Sequence, residues 1–599
     1  MKRLPIRLSH LLRHSGVGAI MRGPEGLAVI QDIRQWTDPR GQTAGEIIHY
    51  VERVRSALGI EQSLREPPLA RETERGGSDG VCIPATRFPF WMRCPHCGKL
   101  YYKPWRAQKN DSPRCDCDKR SLLEQLAWVL VDPAGYLTDV PWRNLAHRDA
   151  AKQEQRQCKI GDKLYLIERQ GQYVLQCKAC DAEKDFRGDE RMGFGQQSMQ
   201  PWTRETPPQE TAQTNEAEPA AQILRINDVR VYSPVAERVL VIPPESRMRR
   251  GTVVDLLYRN SGDRDSVDNA RTPLARKSAL SILAEKYRCA NTEIEQAFVE
   301  IERGYPLYGR SFTPGMLRES EYRAFLETLP DQRDDEDFVN RDRSADWQAL
   351  CRMLESPGLR ARVSPIRHLV RVDRLKAIQV FLGFRRMQGE RVTPPDLVGQ
   401  SDWLPAIPLY GEGIFLTLEE TLLSRWEDNA AVDARTKQLL QRFSQSGREQ
   451  PNPLTARFLL LHTLSHLLIR QLEAEGGYSA AALSERIYCS HAPDKMAGIL
   501  LYVAVPDLAG SLGGLAELAE PRRFLGLLAK ALEHARWCAF DPVCGEHEGQ
   551  GPGLLNRAAC HACALIPEPA CDYGNTLLDR VFVKGDAASG FPSLFGNFS

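Results

Sequence analysis

The sequence predicts a multidomain protein of mixed α/β (α+β) class with zinc-ribbon-like cysteine clusters. Three observations support this prediction. The chain of 599 residues is too long for one hydrophobic core, and half of its 16 cysteines fall in short C-x2-C or C-x-C pairs. Hydrophobic density also rises from residue 366 onward, where strand-like and helix-like runs alternate before a cysteine-rich segment. We therefore expect a C-terminal mixed α/β domain that ends in a Cys-rich zinc module.

Residues 1–93 have the pattern of a small α+β segment. Apolar spacing predicts a short helix near SHLLRH at 9–14, a strand near GLAVIQDI at 26–33 and a helix over 44–58. These elements are short, so we expect them to form the ordered edge of a larger domain.

Seven clustered cysteines mark residues 94–194 as a zinc-ribbon-like region. A C-x2-C pair brings two sulfurs within reach of one metal ion, which is typical of zinc ribbons. CPHC and CDC together predict one zinc site, and CKAC with the cysteine before it predicts three ligands of a second. The fourth ligand of that second site is left open between His147, Cys82 and a sulfur of the first. The predicted cysteine ligands are Cys94, Cys97, Cys115, Cys117, Cys158, Cys177 and Cys180.

The segments around these cysteines predict further elements. LLEQLAWVLV at 122–131 predicts a helix or a buried strand, and 163–177 predicts a hairpin that turns at Gly171. Residues 195–222 are rich in Gln, Thr, Glu and Pro with few aliphatic side chains, which predicts a flexible linker or loop.

Residues 223–365 are expected to form a middle α+β region. Strand-like runs at 221–234 and 237–244 come first, and apolar periodicity then predicts helices at 278–287 and 291–305. From residue 366 to 599 we expect the C-terminal α/β domain. Its run FLLLHTLSHLLI is hydrophobic around nearly its whole circumference, so we expect it to be buried against protein.

The cysteine-rich end of this domain offers five thiols, one more than a single zinc ion needs. The C-x2-C pair supplies two ligands, and the proline-rich segment after it is expected to return a third. For the fourth we prefer Cys544 to Cys538, because Cys538 follows a helix-like run and adjoins Trp537. The predicted ligands are Cys544, Cys560, Cys563 and Cys571, with Cys538 as the alternate. A site of four cysteines has no open position and would be structural.

The cellular context favours metal ligands over disulfides. The start MKRLPIRLSHLLRH lacks the apolar core of a secretion signal, and no run of about 18 apolar residues predicts a membrane span. We therefore expect a cytoplasmic protein with no membrane association, in which clustered cysteines hold two or three structural Zn²⁺ ions.

Charge gives only a local indication of a partner. The chain carries 79 basic and 78 acidic side chains, which neither requires nor excludes nucleic acid. Basic runs occur at 360–374 and 383–391. Within the second run we select Arg385 and Arg386 as candidate contacts to the DNA backbone.

Candidate catalytic motifs are incomplete. His462 and His466 in HTLSH have the i, i+4 spacing of zinc proteases, but Thr463 stands where the general-base glutamate would be, so we interpret them as buried structural histidines. The P-loop pattern GxxxxGK[ST] does not occur. SLGGL at 511–515 is compatible with a phosphate-binding turn or with an ordinary turn from strand to helix.

A metal-dependent nuclease is the alternative function. It would use Asp507, Glu412 and nearby carboxylates such as Glu419 and Glu420 around a divalent cation. Such a site needs several carboxylates in one pocket, and these are few and scattered along the sequence.

Several runs resemble the DrmB family of the bacterial DISARM anti-phage defence systems. They are WLPAIPLYGEGIFLTLEE, LLLHTLSHLLIRQLEAEGGYS, GILLYVAVPDLAGSLGGL, ARWCAFDPVC and NRAACHACALIPEPAC, and the resemblance covers roughly 366–585. In that family the region is similar to the zinc-binding module at the C-terminus of MrfA-type helicases. The resemblance implies a helicase-associated four-cysteine zinc module, with ligands among Cys544, Cys560, Cys563 and Cys571.

The same resemblance implies a partner rather than a reaction. DrmB pairs with DrmA, a helicase-like ATPase, and the two engage DNA in a system that also contains a methyltransferase. For this chain the resemblance implies a non-catalytic accessory subunit that binds a DrmA-type helicase subunit and, with it, DNA.

Overall fold

We describe the chain from a computed structural model, in which two compact units are distinguished. Unit 1 comprises Met1–Ile48, Gln62–Arg238 and Gln379–Ile407, and unit 2 comprises His49–Glu61, Val239–Ile378 and Pro408–Ser599. The mixed α/β class is confirmed by the many helices and sheets. The described residues are 2–6, 8–36, 45–68, 81–192, 200–203, 221–245, 251–327, 337–387, 391–446, 454–491, 495–505 and 514–596. Within these ranges no helix is long and apolar enough to cross a membrane.

Unit 1 begins with a four-stranded antiparallel sheet. Val81–Arg87 lies between Lys2–Ile6 and Gly26–Ile30, and Gly26–Ile30 also pairs with Ile20–Gly23. The helix Leu8–Leu11 and the strand Gly26–Ile30 confirm two predictions made from apolar spacing. These elements build one edge of unit 1.

Two three-stranded sheets support the predicted zinc ligands of unit 1. Residues Gln170 and Gly171, which turn the predicted hairpin, have φ values of 53° and 77°. Positive φ at both positions is the signature of a tight type I′ hairpin turn, so the turn at Gly171 is confirmed. The first sheet contains Leu100–Tyr102, Trp91–Arg93 and Glu124–Gln125, and the second contains Leu164–Arg169, Gln172–Cys177 and Ala182–Phe186.

A further four-stranded sheet builds the core behind the ribbons. The ring of Trp128 packs against those of Trp142 and Phe186, with centroids 6.5 and 5.2 Å apart. The segment 122–131, left open between helix and strand, contains the buried strand Trp128–Val131. Its sheet has the order Leu137–Asp139, Trp128–Val131, Ala221–Arg225, Arg191–Met192, and the helical turns of unit 1 include Ile33–Gln35, Pro104–Ala107, Trp142–His147 and Gln153–Arg156.

Most of the predicted linker 195–222 lies outside the described residues. One residue within it, Trp202, is fully buried in unit 1. Its ring lies 5.5 Å from that of Phe384, and the guanidinium of Arg386 lies 4.8 Å from its centroid. This part of the segment therefore contributes to the core.

Unit 2 contains a group of helices with well-defined N-termini. The side chains of Thr252, Thr272 and Thr313 each accept a hydrogen bond from a backbone N–H in the first turn, which stabilises a helix by about 1 kcal/mol. Of the helix expected over 44–58, only Glu52–Leu58 is helical. The other helices of the group are Val253–Arg259, Ser261–Asp268, Pro273–Tyr287, Asn291–Glu302 and Pro314–Leu326.

The largest sheet has seven strands and carries the core of the C-terminal domain. Met496–Val505 pairs antiparallel with Trp403–Leu418 on one side and with Leu483–Ser490 on the other. Ile366–Arg385 follows Trp403–Leu418 in the strand order. The remaining strands are Ser233–Leu240, Val339–Asp342 and Ser63–Arg65.

The helix Ala456–Gly476 is the central helix of this domain. Its leucines are buried on all sides against strands Leu483–Ser490 and Met496–Val505 and helix Pro521–His534. The burial expected from its hydrophobic circumference is therefore found within the chain. The surrounding helices are Ser344–Met353, Pro357–Val363, Glu420–Glu427, Ala430–Gln445, Gly514–Glu517 and Val581–Lys584.

Arg386, expected to contact DNA, is fully buried in unit 1. Its guanidinium donates hydrogen bonds to the carbonyl oxygens of Gly18 at 2.9 Å, Gly135 at 3.1 Å and Val231. The expectation is wrong for this residue, because three carbonyls occupy the groups that would bind phosphate. Arg385, the last residue of its strand, is exposed.

Replacing Arg386 with alanine should lower the free energy of unfolding by on the order of 3 kcal/mol, because buried carbonyls lose their donors. Arg385→Ala is the matched control and should change it by less than about 0.5 kcal/mol. Urea unfolding followed by tryptophan fluorescence measures both variants. Equal stability of the two would contradict the structural role of Arg386.

Candidate metal centres

Four cysteines of the first ribbon converge in what we call the N-terminal cluster: Cys94, Cys97, Cys115 and Cys117. The sulfurs of Cys97 and Cys115 lie 3.6 Å apart, and those of Cys94 and Cys117 lie 3.9 Å apart. A tetrahedral zinc site with bonds of about 2.3 Å places its sulfurs about 3.8 Å apart, whereas a disulfide needs about 2.0 Å. The spacing therefore fits a shared cation.

A tight turn at Gly98 positions the C-x2-C half of this cluster. The N–H of Gly98 donates to the carbonyl of Cys94 at 3.0 Å, and the N–H of Cys94 donates to that of Lys99 at 2.9 Å. Gly98 has a φ of +77°, and a Cβ there would lie 2.7 Å from the carbonyl oxygen of Leu166. Only glycine fits this close approach without strain.

Burial favours the neutral thiol form of Cys115 in this cluster. Burial raises the pKa of Cys115 to about 12, with hydrogen bonds from its neighbours as secondary influences. A thiol with that pKa stays protonated at neutral pH unless a metal ion displaces its proton. Tyr101 Oη lies 3.2 Å from the sulfur of Cys115 and orients it.

The second ribbon gathers what we call the middle cluster: His147, Cys158, Cys177 and Cys180. Of the alternatives for the fourth position, the structure brings His147 to the three sulfurs. Its Nδ1 donates to the carbonyl of Arg143 at 2.6 Å, so Nε2 is left as the acceptor nitrogen. That Nε2 is buried without a hydrogen-bond partner, as expected of a metal ligand. The side chain of Cys82 lies outside the described residues.

The C-terminal cluster consists of Cys538, Cys544, Cys560 and Cys563. Sulfur separations are 3.5 Å for Cys538 and Cys560, and 3.8 Å from Cys563 to both Cys544 and Cys560. These values again match tetrahedral zinc–thiolate geometry. The buried guanidinium of Arg580 donates to the sulfur of Cys544 at 3.8 Å, which offsets the net negative charge of four thiolates around one dication.

The predicted ligand set needs one correction: the structure brings Cys538, the alternate, to this cluster in place of Cys571. The N–H of Cys538 donates to Asp541 Oδ2 at 2.6 Å, which folds the turn after the helix back toward the C-x2-C pair. Trp537 points outward and is 67% exposed, so its neighbour was free to turn inward. Cys571 instead follows the helical turn Glu568–Ala570 into the domain core.

Cys571 belongs to a different group, which we call the mixed cluster: His462, His466, Glu485 and Cys571. All four side chains are buried in the C-terminal domain. The sequence interpretation of the two histidines as buried agrees with this placement. The sequence interpretation did not include Glu485, which lies on the strand Leu483–Ser490 with no motif around it. Two features of the sequence pointed to this group: the HTLSH spacing and the fifth terminal cysteine.

Glu412 and the SLGGL turn do not form an open anion or metal site in the part of the chain described here. Both carboxylate oxygens of Glu412 accept backbone N–H groups, from Leu515 at 3.0 Å and from Ala516 at 3.2 Å. Tyr478 Oη also donates to Glu412 at 3.2 Å. The carboxylate thus occupies the backbone N–H groups at the start of the helix Gly514–Glu517, which a phosphate would need. Asp507 and the first residues of SLGGL lie outside the described residues.

The other carboxylates proposed for a nuclease have partners of their own. Glu420 accepts hydrogen bonds from the buried Arg457 at 2.9 Å, and Glu427 binds the same guanidinium at 2.7 Å. Glu419 forms an ion pair with Arg367 at 3.5 Å. These charges neutralise arginines and do not converge on one pocket.

Replacing Cys560 and Cys563 together with serine should remove one zinc ion and unfold the C-terminal module, because structural zinc contributes on the order of 10 kcal/mol to the module that binds it. Zinc content by elemental analysis and thermal unfolding measure the two effects. Cys351→Ser, which changes a buried cysteine outside the four clusters, is the control. A folded double variant with full zinc content would contradict the assignment.

Comparison with known proteins agrees with this geometry. A family model described as a domain of unknown function (DUF8724) matches residues 7–233, and the MrfA Zn-binding domain matches residues 464–564. The second range contains all four sulfurs of the C-terminal cluster and ends before Cys571. This match and the cysteine clusters support zinc binding.

Among curated proteins, the DISARM protein DrmB of Bacillus paralicheniformis (strain ATCC 9945a / NCIMB 11709 / CD-2) is 28% identical over 536 residues. The alignment covers 83% of this chain and 88% of that protein. The resemblance seen in the sequence is therefore confirmed: the chain is similar to the DISARM protein DrmB along 83% of its length, and residues 464–564 match the MrfA Zn-binding domain.

Proposed function

We propose that the chain is a non-catalytic accessory subunit of a bacterial anti-phage defence complex, which binds a helicase-like ATPase of the DrmA type and helps it engage DNA. The similarity to a DISARM protein along 83% of the chain is the observation that carries this proposal. A structural role for the metal supports it, because each thiolate cluster supplies four protein donors to one ion. Four donors leave no position for water or substrate.

The surface around the C-terminal cluster is suited to a protein partner. Trp537 and Val543 each directly precede a ligand of that cluster, and Phe540 lies between them. Trp537 and Val543 are 67% and 69% exposed, and Phe540 and Leu554 are also exposed. Large apolar side chains concentrated on one exposed segment are typical of protein interfaces. We infer that this apolar rim binds the helicase-like subunit.

Zinc gives the apolar rim its rigidity. The turn that carries Phe540 is closed by the N–H of Phe540 donating to the sulfur of Cys538 at 3.4 Å. The next turn closes through the N–H of Cys544 donating to the carbonyl of Phe540 at 2.9 Å. A metal ion shared by Cys538 and Cys544 would fix both turns before a partner arrives, which reduces the entropy lost on binding.

The double substitution Trp537→Asp and Val543→Asp should weaken binding of the helicase-like subunit at least 30-fold, about 2 kcal/mol, because it places charge in an apolar contact. Zinc content and thermal stability should stay unchanged, since both side chains are exposed. Isothermal titration or pull-down with the purified ATPase measures the loss.

The matched control for that experiment is Leu274→Asp. Leu274 is 77% exposed on the helix Pro273–Tyr287, away from any cysteine cluster in sequence. Equal losses from the control and the double variant would contradict the apolar rim as the binding surface. Undiminished binding by the double variant would do so as well.

DNA engagement is proposed to involve Arg385, the exposed member of the predicted arginine pair. Arg385→Glu should weaken DNA binding by the helicase–subunit pair and lower its salt slope by about 1, the change expected for one lost phosphate contact. Complex formation should not change. Arg276→Glu, the same charge change at an exposed helix position, is the control. Unaltered affinity across a salt titration would mean that DNA is held elsewhere.

A further inference from the structure

We propose that the mixed cluster of His462, His466, Glu485 and Cys571 is a fourth, closed metal site that holds Zn²⁺ and joins the central helix of the C-terminal domain to the segments around it. The site is separate from the C-terminal cluster and uses the thiol that the C-terminal cluster leaves over.

The donor atoms have the spacing of a tetrahedral site. His462 Nε2 and His466 Nε2 lie 3.1 and 3.4 Å from Glu485 Oε1, and His462 Nε2 lies 3.4 Å from the sulfur of Cys571. Zinc bonds of about 2.0 Å to nitrogen or oxygen and 2.3 Å to sulfur predict about 3.3 Å and about 3.6 Å for these pairs. All four donors lie within 4.8 Å of one another.

Two buried donor atoms in this group lack any other partner. His466 Nδ1 donates to the carbonyl of Ala564 at 2.9 Å, which leaves Nε2 as the nitrogen with a free lone pair. That Nε2 and Glu485 Oε1 are both buried, and neither has a hydrogen-bond partner outside this cluster. Leaving such atoms unpaired in a protein interior is costly, and a cation between them would satisfy both at once.

The surrounding groups hold the remaining donors in place. Ser465 Oγ donates to the other carboxylate oxygen of Glu485. The backbone N–H groups of Tyr573 and Asn575 each donate to the sulfur of Cys571 at 3.3 Å, as expected around a thiolate. Outer contacts of this kind fix the orientation of metal ligands.

Charge balance favours a divalent cation in this position. All four ligand side chains are inaccessible or nearly so, and the rings of Phe458 and Tyr573 pack against that of His462 at 5.4 and 4.9 Å. One carboxylate and one thiolate cancel the two charges of Zn²⁺, while the histidines remain neutral. The assembled site is electrically neutral, so its burial carries a much smaller desolvation cost than separate ions would.

The site is structural rather than catalytic, because four buried protein ligands leave no coordination position open to water or substrate. Its ligands come from the helix Ala456–Gly476, the strand Leu483–Ser490 and the segment after Glu568–Ala570. The helix and the strand follow one another along the chain, whereas Cys571 lies 109 residues after His462, and one ion would hold all three elements together. The competing account is a metal-free hydrogen-bonded group in which a histidine shares a proton with Glu485.

Zinc content of the full-length protein separates these accounts. Cys571→Ala and the isosteric Glu485→Gln should each lose one zinc ion per chain relative to the unaltered protein, measured by elemental analysis. Cys351→Ala, a buried cysteine outside all four clusters, should lose none. Cys538→Ala combined with Cys571→Ala should lose two, because the two residues belong to separate sites.

Native mass spectrometry of the unaltered chain gives a second reading that does not depend on any variant. We expect the mass of four zinc ions per chain. Three or fewer ions, or an unchanged zinc content in the folded Cys571→Ala and Glu485→Gln variants, would overturn the proposal.

Discussion

Coordination of divalent cations by converging thiolates is the constraint on which the cysteine-rich parts of this chain depend. Among the described residues, the buried apolar cluster beside the N-terminal cluster contains Met92 and Leu123 besides cysteines, and Tyr101 and Trp105 pack against it. The corresponding cluster near the C-terminal site consists of cysteines, alanines and Leu578. So few aliphatic side chains cannot offset the conformational entropy lost on folding. Metal binding supplies the missing free energy, and the chain can then hold short loops in fixed positions.

Buried charged side chains elsewhere in the chain also have hydrogen-bonding or ionic partners. Arg386 donates to backbone carbonyls, Arg457 lies between two glutamates, and Arg580 approaches a zinc-site sulfur. Glu412 closes a helix start with its two oxygens. Each of these groups therefore has partners that join neighbouring segments of the chain.

Local spacing made part of the fold and site predictable. C-x2-C and C-x-C pairs are read directly from the sequence because two ligands lie on one turn, and apolar periodicity identified Asn291–Glu302 and the second half of Pro273–Tyr287. His147 could be included only as one of several alternatives. Cys544 was preferred to Cys538 as a ligand, but the structure brings both to the cluster and leaves Cys571 out. The direction in which the chain turns after the helix decides this, and Asp541 sets it through a contact with the backbone of Cys538.

Other features depended on contacts distant in sequence. Glu485 meets its histidines across about 20 residues of intervening chain, and no pattern on its own strand marks it. Arg386 looked like surface because it sits in a basic run, yet its three acceptors come from segments more than 150 residues away. Such pairings arise from tertiary packing, which sequence periodicity does not encode.

We propose that this chain acts through a partner and has no chemistry of its own. The most direct measurement incubates the purified, zinc-replete chain with labelled DNA and Mg²⁺ or Mn²⁺, alone and together with a helicase-like ATPase of the DrmA type. The account predicts no cleavage by the chain alone and tighter DNA binding by the ATPase when the chain is added. Metal-dependent cleavage of DNA by the chain alone would contradict it.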